Sequence, residues 1–309
     1  MDVGGSHIAA ILAAPDGTVA WRAEQPLVYD APDGAASLAG LQTLLDAVLS
    51  RVAATDSAVI CIGAPGVIDY QSGVVEDARA VGWAPLALRS ILEERYRRPV
   101  LIENDVNLAA LGEARHGAGK GVQHLVGMYI GTNIGGGIIL NGSIYRGAHG
   151  GAGEIGWMVP EPALLRLPHP AEGCLEAYAG GLGIARLAQL ALAADPAGGR
   201  ALVEAADGDP QAIRAEHVFA AAPHNAVAAA ILERVFDYLG VAVANIICLL
   251  NPEMIVVGGG VARAGDAILP AVRTRIAGLC AHLPQLALSE LGQDAVVLGA
   301  LALAQDYSS

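Results

Sequence analysis

Along the N-terminal third, runs that are apolar throughout alternate with runs whose apolar positions recur every three or four residues. "HIAAILAAPDGTVAWRAEQPL" (7–27) reads as two strands joined by a turn at Pro15-Asp16-Gly17. "ASLAGLQTLLDAVLSRVA" (36–53) has helical spacing. "AVICIGAPGVID" (58–69) is a continuous apolar strand entering a Gly/Pro loop, and "LALRSILEERYRR" (86–98) is an amphipathic helix. "PVLIEND" (99–105) reads as a buried strand, followed by a helix in "VNLAALGEARHG" (106–117).

The pattern then starts again. "HLVGMYIGTNIGGGIILNGSIYRG" (124–147) reads as a hairpin with a glycine-rich turn and a second turn at Asn141-Gly142. A mainly helical stretch runs from about Leu175 to Leu250, interrupted by loops at "AADPAGG" and "AADGDP". "EMIVVGGGV" (253–261) is a late buried strand and "AVVLGALALAQ" (295–305) a closing helix. Two strand-rich beginnings, near residue 2 and near residue 124, predict two similar α/β lobes around a cleft. The smaller lobe is expected over 1–117, completed by 295–309, and the larger over 118–294.

Composition narrows the class. Of 309 residues, 54% are hydrophobic and 16% charged, as in a folded globular chain. The net charge of −13 comes from 18 Lys+Arg against 31 Asp+Glu, with no basic cluster, so nucleic acid and anionic membrane are poor partners. Phosphate is not excluded, because backbone amides and Mg²⁺ neutralise it locally. The cysteines, Cys61, Cys174, Cys248 and Cys280, form no CxxC pair. Cys61 and Cys248 sit in apolar runs and are expected as buried thiols, without disulfides. No leader is expected, and apolar stretches such as Val241–Leu250 are too short to span a bilayer. These readings predict a soluble, cytoplasmic protein.

Three glycine turns follow apolar strands. Asp2-Val3-Gly4-Gly5-Ser6 offers inward-pointing amides and a hydroxyl to a phosphate, with Asp2 available to Mg²⁺ through water; taken alone, these residues read more readily as a plain hairpin turn. Gly131-Thr132-Asn133 repeats the logic, and Asn133 suits a left-handed turn position. Gly258-Gly259-Gly260 permits close approach of a flat ligand such as adenine. No GxxxxGK[ST] and no GxGxxG opening a helix is present, which speaks against P-loop and Rossmann sites. Asp105, at the end of a buried strand, suits a general base that takes a hydroxyl proton; it equally suits an N-cap for the next helix.

In combination, "DVGGS", "GAPGVID", "ENDVNLAALGE", "GTNIGGGIILNGSIYRGAHGGAGEIG", "GCLEAYAG" and "NPEMIVVGGGV" resemble, in this order, the ROK family of bacterial sugar kinases and related repressors. The resemblance spans essentially the whole chain. It implies the actin-like ATPase (hexokinase-type, ribonuclease H-like) fold and transfer of the ATP γ-phosphate, usually to a sugar 6-hydroxyl, with Mg²⁺. It implies Asp105 as general base, and Gly66, Asn104, Glu154, Glu176 and the Trp157 position around the sugar. It further implies Gly4, Gly5, Ser6, Gly131 and Thr132, with Asn133 beside them, around phosphates, and Gly258, Gly259 and Gly260 at the adenosine. Family members are commonly homodimers. Repressors of the family carry an N-terminal helix-turn-helix; this sequence starts at the phosphate turn, so a repressor is not expected.

Four departures shape these expectations. Where the family has His after GEIG and then CxCGxxGCxE, this chain has Trp157 and "LPHPAEGCLE", with Leu167 and His169 in place of the first two cysteines. Zinc wants four good ligands, so no structural zinc is expected, and a loop packed around Trp157 replaces it. Trp157 also lacks a ring-nitrogen acceptor for sugar. Arg79 and Ala80 stand where many relatives have Asn for the 3-hydroxyl. A glucokinase-like activity is expected, with a hexosamine, aminosugar or cyclitol as alternative acceptor and a non-catalytic sugar-binding relative as the rival class. Only Met1 precedes Asp2, so the first strand is expected to be short.

Overall fold

In the computed structural model of the chain, the described residues are 1–28, 34–53, 58–167, 174–279 and 281–308, with the side chains of 263–266 left aside. His169 and Cys280 fall outside them. In chain order the elements are β1 (Asp2–Val3), β2 (His7–Ala13), β3 (Val19–Pro26), α1 (Ala35–Leu49), β4 (Ile60–Ala64), β5 (Val67–Asp69), β6 (Val74–Asp77), α2 (Leu88–Tyr96), β7 (Val100–Asn104) and α3 (Asp105–His116). There follow β8 (Leu125–Ile130), β9 (Ile134–Leu140), β10 (Ser143–Ile144), α4 (Glu176–Ala179), α5 (Gly181–Ala194), α6 (Arg200–Ala205), α7 (Ala215–Ala221), α8 (Ala226–Leu250), β11 (Met254–Gly258), α9 (Gly265–Ile276), β12 (Gln285–Leu288) and α10 (Ala295–Ser308).

The chain divides into two compact units. The first comprises Met1–Gln123, Gly137–Ala152 and Glu290–Ser309, and the second His124–Gly136 and Gly153–Ser289. Segment 137–152, expected in the second lobe, groups with the first unit. Gly137 lies so close to α3 that a Cβ there would approach Val106 O and Ala110 Cβ at 2.6 Å.

The first sheet has the order β3-β2-β1-β4-β7 and the second β10-β9-β8-β11-β12. They correspond strand for strand. β1 runs antiparallel to β2 and parallel to β4, which is parallel to β7. β8 is parallel to β11, which is parallel to β12, while β10 returns antiparallel on β9. The parallel strands β4 and β11 are buried at every position, as strands covered on both faces must be, which is why they read as unbroken apolar runs. β1, two residues long, is as short as its sequence implies.

In the first unit α3 packs on α10 through two glycines. A Cβ on Gly112 would strike Ala295 O, and one on Gly299 would strike Leu108 O. Glu113, fully buried in α3, accepts from the amides of Ala118 (2.9 Å) and Leu291 (3.0 Å), so its charge is met by backbone donors. In the second unit α8 starts at Asn225, whose side chain accepts from Ala228 N at 2.8 Å, and ends at left-handed Asn251. Here one expectation fails. Cys248 is exposed, beside Leu249 at 78%, whereas Ile246 and Ile247 face the core. An apolar run shows hydrophobicity but not which side of the helix faces out. Cys61, Cys174 and Cys248 are free thiols, and burial pushes Cys61 up to about 12. No helix among the described residues is long and apolar enough to cross a membrane.

Candidate functional site

Because β1, β4 and β7 are neighbouring parallel strands, their carboxyl ends share one edge of the first sheet. Gly4-Gly5-Ser6 follows β1, Gly66 follows β4, and Asp105 follows β7. Such an edge is where open α/β sheets receive ligands. Asn104 caps α3: its Oδ1 accepts from Val106 N (3.0 Å) and Asn107 N (3.2 Å), and its Nδ2 donates to Gly66 O (3.1 Å). The capping role open to Asp105 in the sequence therefore belongs to Asn104, and Asp105 is the first helical residue, half-buried at the positive end of the helix. Gly66 has φ +84°, and a Cβ there would run into the Asp77 carbonyl, so only glycine fits.

The first turn is a hairpin turn as well as a candidate cradle. Gly4 N donates to His7 O at 2.9 Å, and Ser6 Oγ lies 3.2 Å from His7 Nδ1. Ala80 stands beside this turn, its Cβ 3.7 Å from where Gly5 would carry one. Asp2 is 7% exposed, and burial raises its pKa against the opposing positive charges of the terminal ammonium and His7. A desolvated carboxylate of this kind gains from a cation nearby, which fits the Mg²⁺ reading. Met1 donates its ammonium to Cys61 O at 2.6 Å.

In the second unit two of the glycine turns converge. A cavity of about 1030 Å³ is lined by Gly131, Thr132, Gly181, Leu182, Ile213, Phe219, Gly260 and Val261, with Arg186, Arg214 and Glu216 among its polar groups. Gly259 has φ +90°, and a Cβ there would meet Ile130 O at 2.5 Å. At Gly260 a Cβ would meet nothing within 4 Å, so the wall is open there. Apolar side chains and bare backbone suit a flat heterocycle, and arginines suit phosphate or ribose. A second correction concerns Asn133. The left-handed residues other than glycine among those described are Arg97, Asn141, Asp207 and Asn251. Asn133 is not one of them; it closes the turn by accepting Gly131 N at 2.9 Å through its carbonyl.

The remaining candidates cluster after β9. Glu176 Oε2 accepts from Ile134 N at 3.3 Å. Glu154 is exposed as a residue, yet its carboxyl has a raised pKa, first through burial and then through the charge of Glu176. Ile155 and Gly156 separate Glu154 from Trp157, and a Cβ on Gly156 would crowd Glu176 Oε2 at 2.8 Å. Trp157 is 51% exposed. It therefore does not organise the loop as a core residue. That role falls to Cys174 and Leu175, both buried, with Leu175 N donating to Met158 O at 2.7 Å. Ile155, buried, takes the inward position and leaves the indole outside. Among the described residues no three His, Cys, Asp or Glu are grouped to hold a metal.

Sequence reasoning missed Gly181, Leu182, Ile213 and Phe219, which line the cavity from α5 and around α7. "AGGLG" (179–183) was a visible signal, being a glycine run at a helix start. It also missed Tyr70, Glu103, Asn107 and Arg146, which form one polar cluster beside Asp105, Glu103 and Asn107 buried and the other two partly so.

Similarity to known proteins follows this layout. A glucokinase of Halalkalibacterium halodurans is 36% identical over 97% of this chain and 92% of its own length. The crystal structure of a ROK family glucokinase from Streptomyces griseus, in complex with glucose and AMPPNP, matches with a TM-score of 0.79 at 29% identity, covering 99% of this chain and 98% of that one. A ROK hexokinase from Thermus thermophilus matches with a TM-score of 0.82 at 28% identity, covering 99% and 97%. The fold is thus the actin-like ATPase fold. Since the family model of ROK matches residues 1–307, from the first strand to the closing helix, the chain belongs to the ROK family.

Proposed function

We propose that this ATP-dependent sugar kinase transfers the γ-phosphoryl group of ATP to the 6-hydroxyl of a hexose, with Asp105 as general base. The sugar kinase class has its support in glucokinase relatives matched along nearly their whole length. The observation that carries the proposed chemistry is the position of Asp105 at the carboxyl edge of the first sheet, in line with Gly66 and the Gly4–Ser6 turn.

The steps follow from these groups. The Asp105 carboxylate accepts the proton of the acceptor hydroxyl. The freed oxygen attacks the γ-phosphorus, the bond to the bridging oxygen breaks, and ADP leaves. Phosphoryl transfer asks mainly for positioning and charge neutralisation. Amides and hydroxyls of Gly4–Ser6 and Gly131–Thr132 hold the phosphates, and Gly258–Gly260 with the apolar lining of the cavity holds the adenosine. Glu154 and Glu176 accept from sugar hydroxyls, Asn104 and Gly66 border the same ligand, and Trp157 offers a ring face and one N–H donor. Asp2 would hold Mg²⁺, whose charge would add to the neutralisation of the phosphates.

Trp157 favours a second acceptor class. An exposed indole replaces the ring nitrogen expected from the family, beside the Glu154–Glu176 pair. A hexosamine, aminosugar or cyclitol suits that change. A cytoplasmic homodimer without structural zinc belongs to the same proposal; sedimentation tests the dimer and metal analysis the zinc.

ADP release with Mg-ATP should be followed across glucose, mannose, N-acetylated hexosamines, aminosugars and cyclitols, with Asp105→Asn in parallel. Saturable turnover on one acceptor, lost in the variant, names the substrate. Silence on every acceptor, with sugar binding intact, sinks the kinase reading in favour of a sugar-binding regulator.

A further inference from the structure

Glu103 is wholly buried one residue before Asn104 and two before Asp105. A buried carboxylate needs full compensation, and this one has it. Its Oε2 accepts from Arg146 Nε and Nη2, both at 2.7 Å. Its Oε1 accepts from Asn104 N at 2.9 Å and Asn107 Nδ2 at 3.0 Å. One oxygen thus holds the Asn104 amide before Asp105 and the Asn107 side chain in the first turn of the helix after it. The other is held by Arg146.

Arg146 is itself held. Its guanidinium lies 4.9 Å from the centre of the Tyr70 ring. The Tyr70 carbonyl accepts from Arg89 Nη2 at 2.9 Å, and its hydroxyl lies 3.4 Å from Asn107 Nδ2. Arg146 also opens a glycine loop, closed by Ala152 N donating to Arg146 O at 3.1 Å. Within it Gly150, at φ +76°, packs on the Tyr70 ring and Ile68 O, leaving no room for a side chain.

A buried ion pair is a poor source of stability compared with apolar packing. What it provides is direction, and here the direction is imposed on both sides of one residue. We propose that Arg146 is a positioning residue: acting through Glu103, which holds the Asn104 amide before Asp105 and the Asn107 side chain after it, it aims the Asp105 carboxylate at the acceptor hydroxyl. The inference rests on the proposed role of Asp105.

Steady-state kinetics of Arg146→Ala, Arg146→Lys and the double variant E103Q/R146M test it, each with a thermal melt. Misplacing a base by about 1 Å costs roughly 10²-fold. The expected result is a fall of that order in kcat for Arg146→Ala, with the KM for ATP unchanged. Side-chain exposure of 34% leaves Arg146 open to small solutes, so millimolar guanidinium ion should restore part of the loss. E103Q/R146M removes both charges together; it should recover melting temperature without recovering kcat. Kinetics that recover with stability would mark the pair as structural and overturn the proposal, as would a wild-type kcat in Arg146→Ala. If wild type itself shows no turnover, the reading of Asp105 fails instead.

Discussion

The carbonyl of Gly131 accepts a hydrogen bond from the amide of Gly181 at 2.8 Å, and Thr132 O accepts from Leu182 N at 3.1 Å. The turn after β8 is therefore docked on the first turn of α5, using two donors a helix leaves without internal partners. A Cβ on Gly181 would sit 2.8 Å from Gly131 O. This close approach forms one wall of the cavity, with the turn after β11 as another.

Gly259→Ala tests that wall. Its φ of +90° is strained for alanine, and the new Cβ meets Ile130 backbone. Strain of this kind costs on the order of 1–3 kcal/mol, before the collision is counted. Urea unfolding should show at least that loss, and the KM for ATP should rise. An alanine variant of native stability with an unchanged KM for ATP would remove the case for a rigid glycine turn.

Asp105→Asn should lower kcat by about 10²–10⁴-fold, the usual worth of a positioned general base, and leave the melt nearly unchanged. The helix cap survives because it belongs to Asn104. Asn104→Ala should do the reverse in stability, losing about 1 kcal/mol with the cap. Circular dichroism melts of the two variants separate capping from chemistry.

Trp157 is half exposed, so Trp157→Ala should shift stability by no more than about 0.5 kcal/mol. The KM for the sugar should rise while the KM for ATP holds. An equal change in both would place Trp157 away from the acceptor.

Glu154 gives a pH signature. Its folded pKa is raised above the ordinary 4.5, by burial and then by Glu176. The native state then holds the proton more tightly than the unfolded chain, so between the two pKa values stability falls as pH rises. Below the unfolded value the difference vanishes. Glu154→Gln should therefore melt higher than wild type at neutral pH and alike at pH 4. The gain is under about 1 kcal/mol, because the residue is largely exposed to screening solvent. A variant less stable at neutral pH would contradict the raised pKa.

Much of this molecule was legible in its sequence because the signals were local. Largely apolar runs marked β4, β8 and β11, as strands covered on both faces favour, and the apolar start of β7 marked a buried strand although Glu103 lies in it. The helical spacing marked α1, α2 and α3, and Asn141-Gly142 marked its turn, with both residues left-handed as such a hairpin requires. The duplicated beginning foretold two sheets of matching strand order. Each candidate turn was visible for the same reason: glycine and small donors must follow the strand directly.

What the tertiary structure alone decided were matters of direction and distant company. Asn104 and Asp105 are both good caps, and only the path of the chain from β7 into α3 chose between them. Ile155 rather than Trp157 took the buried place, and Cys248 faced outward, because a short apolar run does not say which side meets the core. Glu103 and Arg146 stand 43 residues apart, and Gly131 and Gly181 fifty, so no local pattern joins them. The sequence determined which residues could serve a site; which of them meet depended on long-range packing, where burial charges a cost to every unpaired polar group and leaves few arrangements that satisfy them all.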